Sequence, residues 1–187
     1  VHSTRFLPVV VPQARDRLSG RMVTATFEDL AEASATAIKQ WGVLRMDVDN
    51  LGILFHHDIE RSSLSRVASL SSQFRLFFEG LVPQLVRQLN QAPPASARGQ
   101  QQDRVYLIYA GGDDLFAVGT WDLLPGLANE IRQAFQRFTG GNPRVTLSGG
   151  IAIFPQKYPL YLAAKEAGIA LDDQAKGYQR SGGEPKD

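Results

Sequence analysis

The sequence predicts an α+β domain built on the split βαβ unit of ferredoxin-like domains: βαββαβ with one helix added, and an antiparallel sheet with helices on one face. Three observations predict it. Strand-like runs at 41–50, 105–110, 115–119 and 144–154 are interleaved with stretches of helical periodicity. The second and third runs are separated only by Gly111, Gly112, Asp113 and Asp114, which leaves room for a tight hairpin and little else. The resulting order is strand, helix, two-strand hairpin, helix, strand, helix, the order of the split βαβ unit.

Residues 1–40 read as a lead-in from a preceding domain, an extended piece plus a helix. Pro8 to Pro12 has no regular period, and Thr26 to Asp29 resembles a capping box with Asp in its last place. Phe27, Leu30, Ala31, Ala37 and Ile38 keep a helical spacing as far as Gln40. The domain proper is expected over 41–178. In its first strand Leu44, Met46 and Val48 alternate with Arg45, Asp47 and Asp49, which puts Asp47 and Asp49 on one face, about 7 Å apart by strand rise. Asn50, Leu51 and Gly52 then end the strand in a turn.

Leu64, Val67, Leu70, Phe74, Phe77, Phe78, Leu81, Leu85 and Leu89 recur every three or four residues, the pattern of a packed helix, and Gly80 and Pro83 predict a kink or a break. Residues 90–103 form a low-complexity loop. After the hairpin, Leu124, Leu127, Ile131, Phe135 and Phe138 mark a helix over 122–138 that ends before Gly140. Arg144 to Phe154 is the fourth strand, on which Ser148 and Gly149 read as packing. Pro159 opens a last helix to about Lys176, and 179–187 is a polar tail.

Composition narrows the function classes. A chain of 187 residues with 43% apolar content can bury a core, and 20 basic against 19 acidic residues give no global charge to steer it to nucleic acid or a membrane. The absence of cysteine excludes disulfides, thiolate zinc and cysteine catalysis. His2, His56 and His57 have no metal-ligand spacing, and no 18-residue apolar run provides a membrane span. The opening Val1 to Arg5 has neither an initiator Met nor a signal-peptide pattern, so the chain reads as excised from something longer, with a cytoplasmic setting expected.

The acids carry the chemistry. In the predicted topology the first and third strands are the central antiparallel pair, so the end of the first lies beside the start of the third, and Asp47 and Asp49 meet Asp113 and Asp114. Taken alone, the hairpin tip reads equally as a solvated turn, and the Asp47 strand as an edge with a wet face. Together, four carboxylates with no neutralising Lys or Arg between them call for a hard cation such as Mg²⁺. A two-metal phosphoryl or nucleotidyl transfer site explains them directly.

Three blocks, Leu44 to Gly52, Leu64 to Ser71 with Phe77 and Phe78, and Tyr109 to Gly119, closely resemble one family: the large, polymerase-like subunit of type III CRISPR effector complexes, of the Csm type. Leu147 to Phe154 and Tyr158 to Ala164 continue the match, which covers roughly 26–178. More distantly the layout is similar to GGDEF cyclases and nucleotide cyclase palms. The resemblance implies the second palm domain of such a subunit, joining ATP into cyclic oligoadenylates when target RNA is bound. It implies Mg²⁺ or Mn²⁺ held by Asp47, Asp113 and Asp114, with Asp49 a weaker candidate. It implies that Gly111, Gly112 and the backbone of Asn50, Leu51 and Gly52 approach the nucleotide. Ser71 is implied as an adenine contact and Lys176 as a phosphate contact, although a solvent-facing helix serine and a solvated C-terminal lysine fit the same positions.

The implied partners are ATP, the other subunits of the ribonucleoprotein, guide and target RNA through the complex, and the other palm of the same subunit. Family members also carry a nuclease domain of the HD type, a first palm and a cysteine zinc site, none of which is in this sequence. The resemblance therefore implies a piece that holds the carboxylates but half of the nucleotide site. The alternatives are a GGDEF-like diguanylate cyclase, disfavoured by Asp113-Asp114 where that group prefers Glu-Glu or Asp-Glu before Phe, and a non-catalytic palm that docks subunits and RNA.

Overall fold

The computed structural model describes residues 10–16, 19–49, 51, 64–91 and 103–176. Its centre is a four-stranded antiparallel sheet of β3 (Gln40–Val48), β4 (Val105–Gly111), β5 (Asp114–Thr120) and β6 (Leu147–Pro155) in the order β4-β5-β3-β6. The first and third strands of the domain, β3 and β5, are the inner pair, as the split βαβ topology requires. Two short strands, β1 (Gln13–Arg15) and β2 (Met22–Thr24), form a separate hairpin.

One face of the sheet carries Leu44, Met46 and Val48 from β3. It packs on α2 (Leu64–Arg75), α3 (Val82–Gln91) and α4 (Leu124–Phe138) through Phe74, Phe77, Phe78, Leu127, Ile131 and Phe135. The break expected near Gly80 is absorbed by a π-helical stretch, Leu76–Leu81, which joins α2 to α3 without interrupting the helical path. Pro83 lies just after this stretch, in the first turn of α3. Asn90 closes the buried end of α3. Its Oδ1 accepts from the N–H groups of Arg104 and Val105, and its Nδ2 donates to the Val105 carbonyl, each at 2.9 Å.

The opposite face is not left bare, which amends the expectation of helices on one face only. Trp41, Val43, Val118 and Phe154 are covered by α1 (Phe27–Glu32), by α5 (Leu160–Ile169) and by the β1–β2 hairpin, with Leu30, Ala31, Ala163 and Ala167 buried between them. Phe27 stacks on Trp41 at 5.0 Å, and the indole N–H donates to the Pro155 carbonyl at 2.9 Å. The expected capping box at Thr26 and Asp29 is present. The helix it starts ends at Glu32 rather than near Gln40, because the hydroxyls of Ser34 and Thr36 bond the local backbone and offer it an alternative to the helix. The lead-in segment also pairs with the sheet edge, where the Val10 N–H donates to the Leu107 carbonyl at 3.2 Å. What remains half-buried on this face is the end that bears Tyr109, Asp114, Phe116, Arg45 and Asp47.

Candidate active site

The hairpin tip is fixed by its turn. Gly111 pairs with Asp114, so Gly112 and Asp113 alone make the connection, with Gly112 at φ +68° in the left-handed region that favours glycine. Gly111 is extended strand, so one glycine of the pair supplies the turn. The Tyr109 hydroxyl donates to the Gly111 carbonyl at 2.8 Å, tying the strand end down beside a bulge at Leu107/Tyr109.

This geometry sets Asp114 directly opposite Asp47 in the β3–β5 ladder, with Cα atoms about 5 Å apart as in any antiparallel pair. The Val48 N–H donates to the Asp113 carbonyl at 3.1 Å, which holds the turn against the end of β3. On the other side Asp47 pairs with Ser148, so Asp114, Asp47 and Ser148 form one row across three strands. Behind them Phe116, Arg45 and Gly150 form the next row.

Crowding marks the acids. Burial pushes the Asp113 carboxyl above the usual carboxylate range, and the Asp47 charge pushes it further. Asp114 is raised in the same way, first by burial and then by Asp113 and Asp47, while a Tyr109 hydrogen bond and the Arg45 guanidinium pull the other way. Tyr109 in turn is raised by burial and by the Asp114 charge.

Lys176 answers part of this charge: its Nζ forms a hydrogen-bonded ion pair with Asp47 Oδ2. Burial alone would lower the ammonium pKa, and the Asp47 carboxylate more than offsets it, so the net shift is upward. Lys176 reaches this point because α5 continues into a π-helical segment, Ala170–Lys176, that lies on β6 at Gly150. A Cβ at Gly150 would stand 2.5 Å from the Leu171 nitrogen, so the approach requires glycine. Beside the ion pair, Ser148, Gly149, Gly150, Gln174 and Ala175 border an open groove of ≈ 420 Å³, within the size range of small-molecule sites.

Among the described residues no group of three or more His, Cys, Asp or Glu side chains is arranged to hold a metal ion. The donor chemistry nevertheless suits a hard dication: three acids at one spot, two of them with raised pKa, and a lysine cation already attracted to the third.

The other expected site residues fare differently. Asp49 lies one residue beyond β3, where the strand alternation has ended, and it is fully buried rather than sharing the half-buried face of Asp47. Its N–H donates to the Thr146 carbonyl at 2.8 Å and its Oδ2 accepts from the Thr146 hydroxyl, so it anchors the exit of β3 to the approach to β6. Asn50 and Gly52 lie outside the described residues; Leu51 packs its side chain against the core. Ser71 is exposed on α2, which packs on the sheet face opposite Asp47 and Asp114. Ser148, read as packing, sits beside Asp47. Arg45, Tyr109 and Thr146 carried no separate sequence signal beyond their nearness to the acids.

The family model for the second palm domain of Cas10/Cmr2 matches residues 40–182. The chain belongs to this family. It is 38% identical over 151 residues to the Cas10/Csm1 single-strand-specific deoxyribonuclease of the subtype III-A CRISPR system of Methanocaldococcus jannaschii, covering 79% of the chain and 19% of that protein. A solved Csm1–Csm4 cassette in complex with cA4 superposes with a TM-score of 0.71 at 29% identity, over 97% of this chain and 26% of that one. A cassette in complex with one ATP gives 0.66 at 31% identity, over 87% and 23%. The palm domain thus spans about one-fifth of the length of the curated relative it matches. Among the described residues no helix is long and apolar enough to cross a membrane.

Proposed function

We propose that this palm domain is the nucleotidyltransferase centre of a type III CRISPR effector subunit, converting ATP to cyclic oligoadenylates when target RNA is bound. The observation that carries it is the cross-strand pair Asp47–Asp114 with Asp113 at the adjoining turn, in a domain whose solved relatives hold ATP and cA4. In this reading the 3′-hydroxyl of one ATP attacks the α-phosphorus of the next. A 3′–5′ phosphodiester forms, the bond to pyrophosphate breaks, and the hydroxyl proton is released.

Asp47, Asp113 and Asp114 would hold Mg²⁺ or Mn²⁺. When bound, the ions lower the pKa of the attacking hydroxyl and stabilise the leaving pyrophosphate. The raised pKa values of Asp113 and Asp114 make both carboxylates reluctant anions, which strengthens their preference for a cation. Lys176 brings a positive charge to the same spot for the phosphates. The open groove along β6 gives room for a nucleotide. Guide and target RNA, a Csm4-type partner and a second palm would act through the complete complex.

The test incubates the chain, in its assembled effector complex with guide and target RNA, with Mg²⁺ and labelled ATP or GTP. The expected product is cyclic oligoadenylate from ATP, abolished in the D113A/D114A double variant. Product that persists in that variant overturns the assignment, and a preference for GTP favours a diguanylate cyclase.

A further inference from the structure

We infer that Arg45 is a triphosphate-binding residue of this site, its guanidinium held ready for phosphate oxygens beside the Asp47–Asp114 row by the absent side chain of Gly168; the inference rests on the nucleotide reading above. Arg45 lies two residues before Asp47 on the same face of β3, between Phe116 of β5 and Gly150 of β6. Its side chain reaches α5, where a Cβ built on Gly168 would stand 2.8 Å from Nη1. Any larger residue at 168 would move the guanidinium.

Arg45 is only half-exposed, yet among the described residues its guanidinium forms no ion pair; the two that occur join Arg75 to Glu79 and Lys176 to Asp47. With no direct ion pair to satisfy it, its planar fork of donors suits phosphate. Arg45 stands in the ladder row next to Asp114, Asp47 and Ser148, close to where phosphates held at those acids would lie. Lys176 starts from an ion pair with Asp47, whereas among the described residues Arg45 has none to give up before it meets a phosphate. A purely structural arginine, balancing Asp114 alone, would not distinguish ligands by their phosphates.

The experiment measures Mg²⁺-dependent binding of ATP, inorganic tripolyphosphate and adenosine by the full chain in its assembled complex, for wild type, R45M, R45K and G168A. R45M is expected to weaken ATP and tripolyphosphate by about tenfold or more, the loss of a charge-assisted contact, with adenosine unchanged. R45K recovers part of the loss. G168A keeps the charge and favours the helix, so it folds at least as well while weakening both phosphate ligands. Equal binding of all three ligands by wild type and R45M overturns the inference and leaves the nucleotide reading standing. A wild type that binds none of the three overturns both.

Discussion

Replacing Gly150 with alanine perturbs the contact that brings Lys176 to the acids. The new methyl would meet Leu171 N at 2.5 Å and Ala167 O and Ala170 C at 2.9 Å. All three are backbone atoms, so no side-chain rotation relieves the overlap. Ordinary contact begins at 3.4 Å, so the π segment must retreat by about 0.9 Å from β6, and the buried Leu171 side chain must move with it. Overpacking of this kind costs roughly 1–3 kcal/mol, which for a chain of this length lowers Tm by about 4–8 °C at the middle of the range. Lys176, at the end of the segment, withdraws from Asp47 as well. Gly150→Ala and Lys176→Gln remove overlapping contacts, so their stability losses should fall short of additive in a double-variant cycle. Thermal and urea unfolding of the two single variants and the double measure this. A Gly150→Ala protein melting within about 1 °C of wild type would refute the close-approach argument, and strict additivity would refute the link to Lys176.

Three further outcomes are expected. Asp113→Asn should stabilise the domain near neutral pH. A carboxylate whose folded pKa is raised binds more protons folded than unfolded, so stability falls as pH rises through that window; the Asn gain should shrink as pH drops through the raised pKa and vanish below the unfolded value, as followed by urea midpoints against pH. Asn90→Ala strips partners from three buried backbone groups and should cost about 3 kcal/mol in urea unfolding. Lys176→Gln removes the cation that shares Asp47 and should tighten Mn²⁺ binding in the absence of nucleotide, read by electron paramagnetic resonance; weaker binding would contradict the competition.

Much of the site was legible because topology and a turn fix it. The short Gly-rich link pins the hairpin at its Gly111–Asp114 end, up to the bulge at Leu107/Tyr109, and the split βαβ order makes β3 and β5 neighbours, which brings Asp47 beside Asp114. Asp49 escaped the same reasoning because alternation holds only while the strand lasts. The strand ends at Val48, and Thr146, brought in from the approach to β6, takes the carboxylate. The cover on the second face was also hidden, since short pieces such as Gln13–Arg15 and Phe27–Glu32 have too few residues for a periodic signal. Lys176 was visible as a residue of the last helix. Its seat on Asp47 depends on a π-helical continuation and on Gly150, which no single-sequence pattern encodes.

We propose that Asp47, Asp113 and Asp114 together hold the catalytic metal. A crystal structure of the domain in its complex with Mn²⁺ and a non-reacting ATP analogue tests it through the anomalous signal of manganese. Manganese is expected on the carboxylates of Asp47 and the Asp113–Asp114 pair, with Lys176 moved from Asp47 to the phosphates. Manganese bound elsewhere, with Lys176 still paired to Asp47, would contradict it.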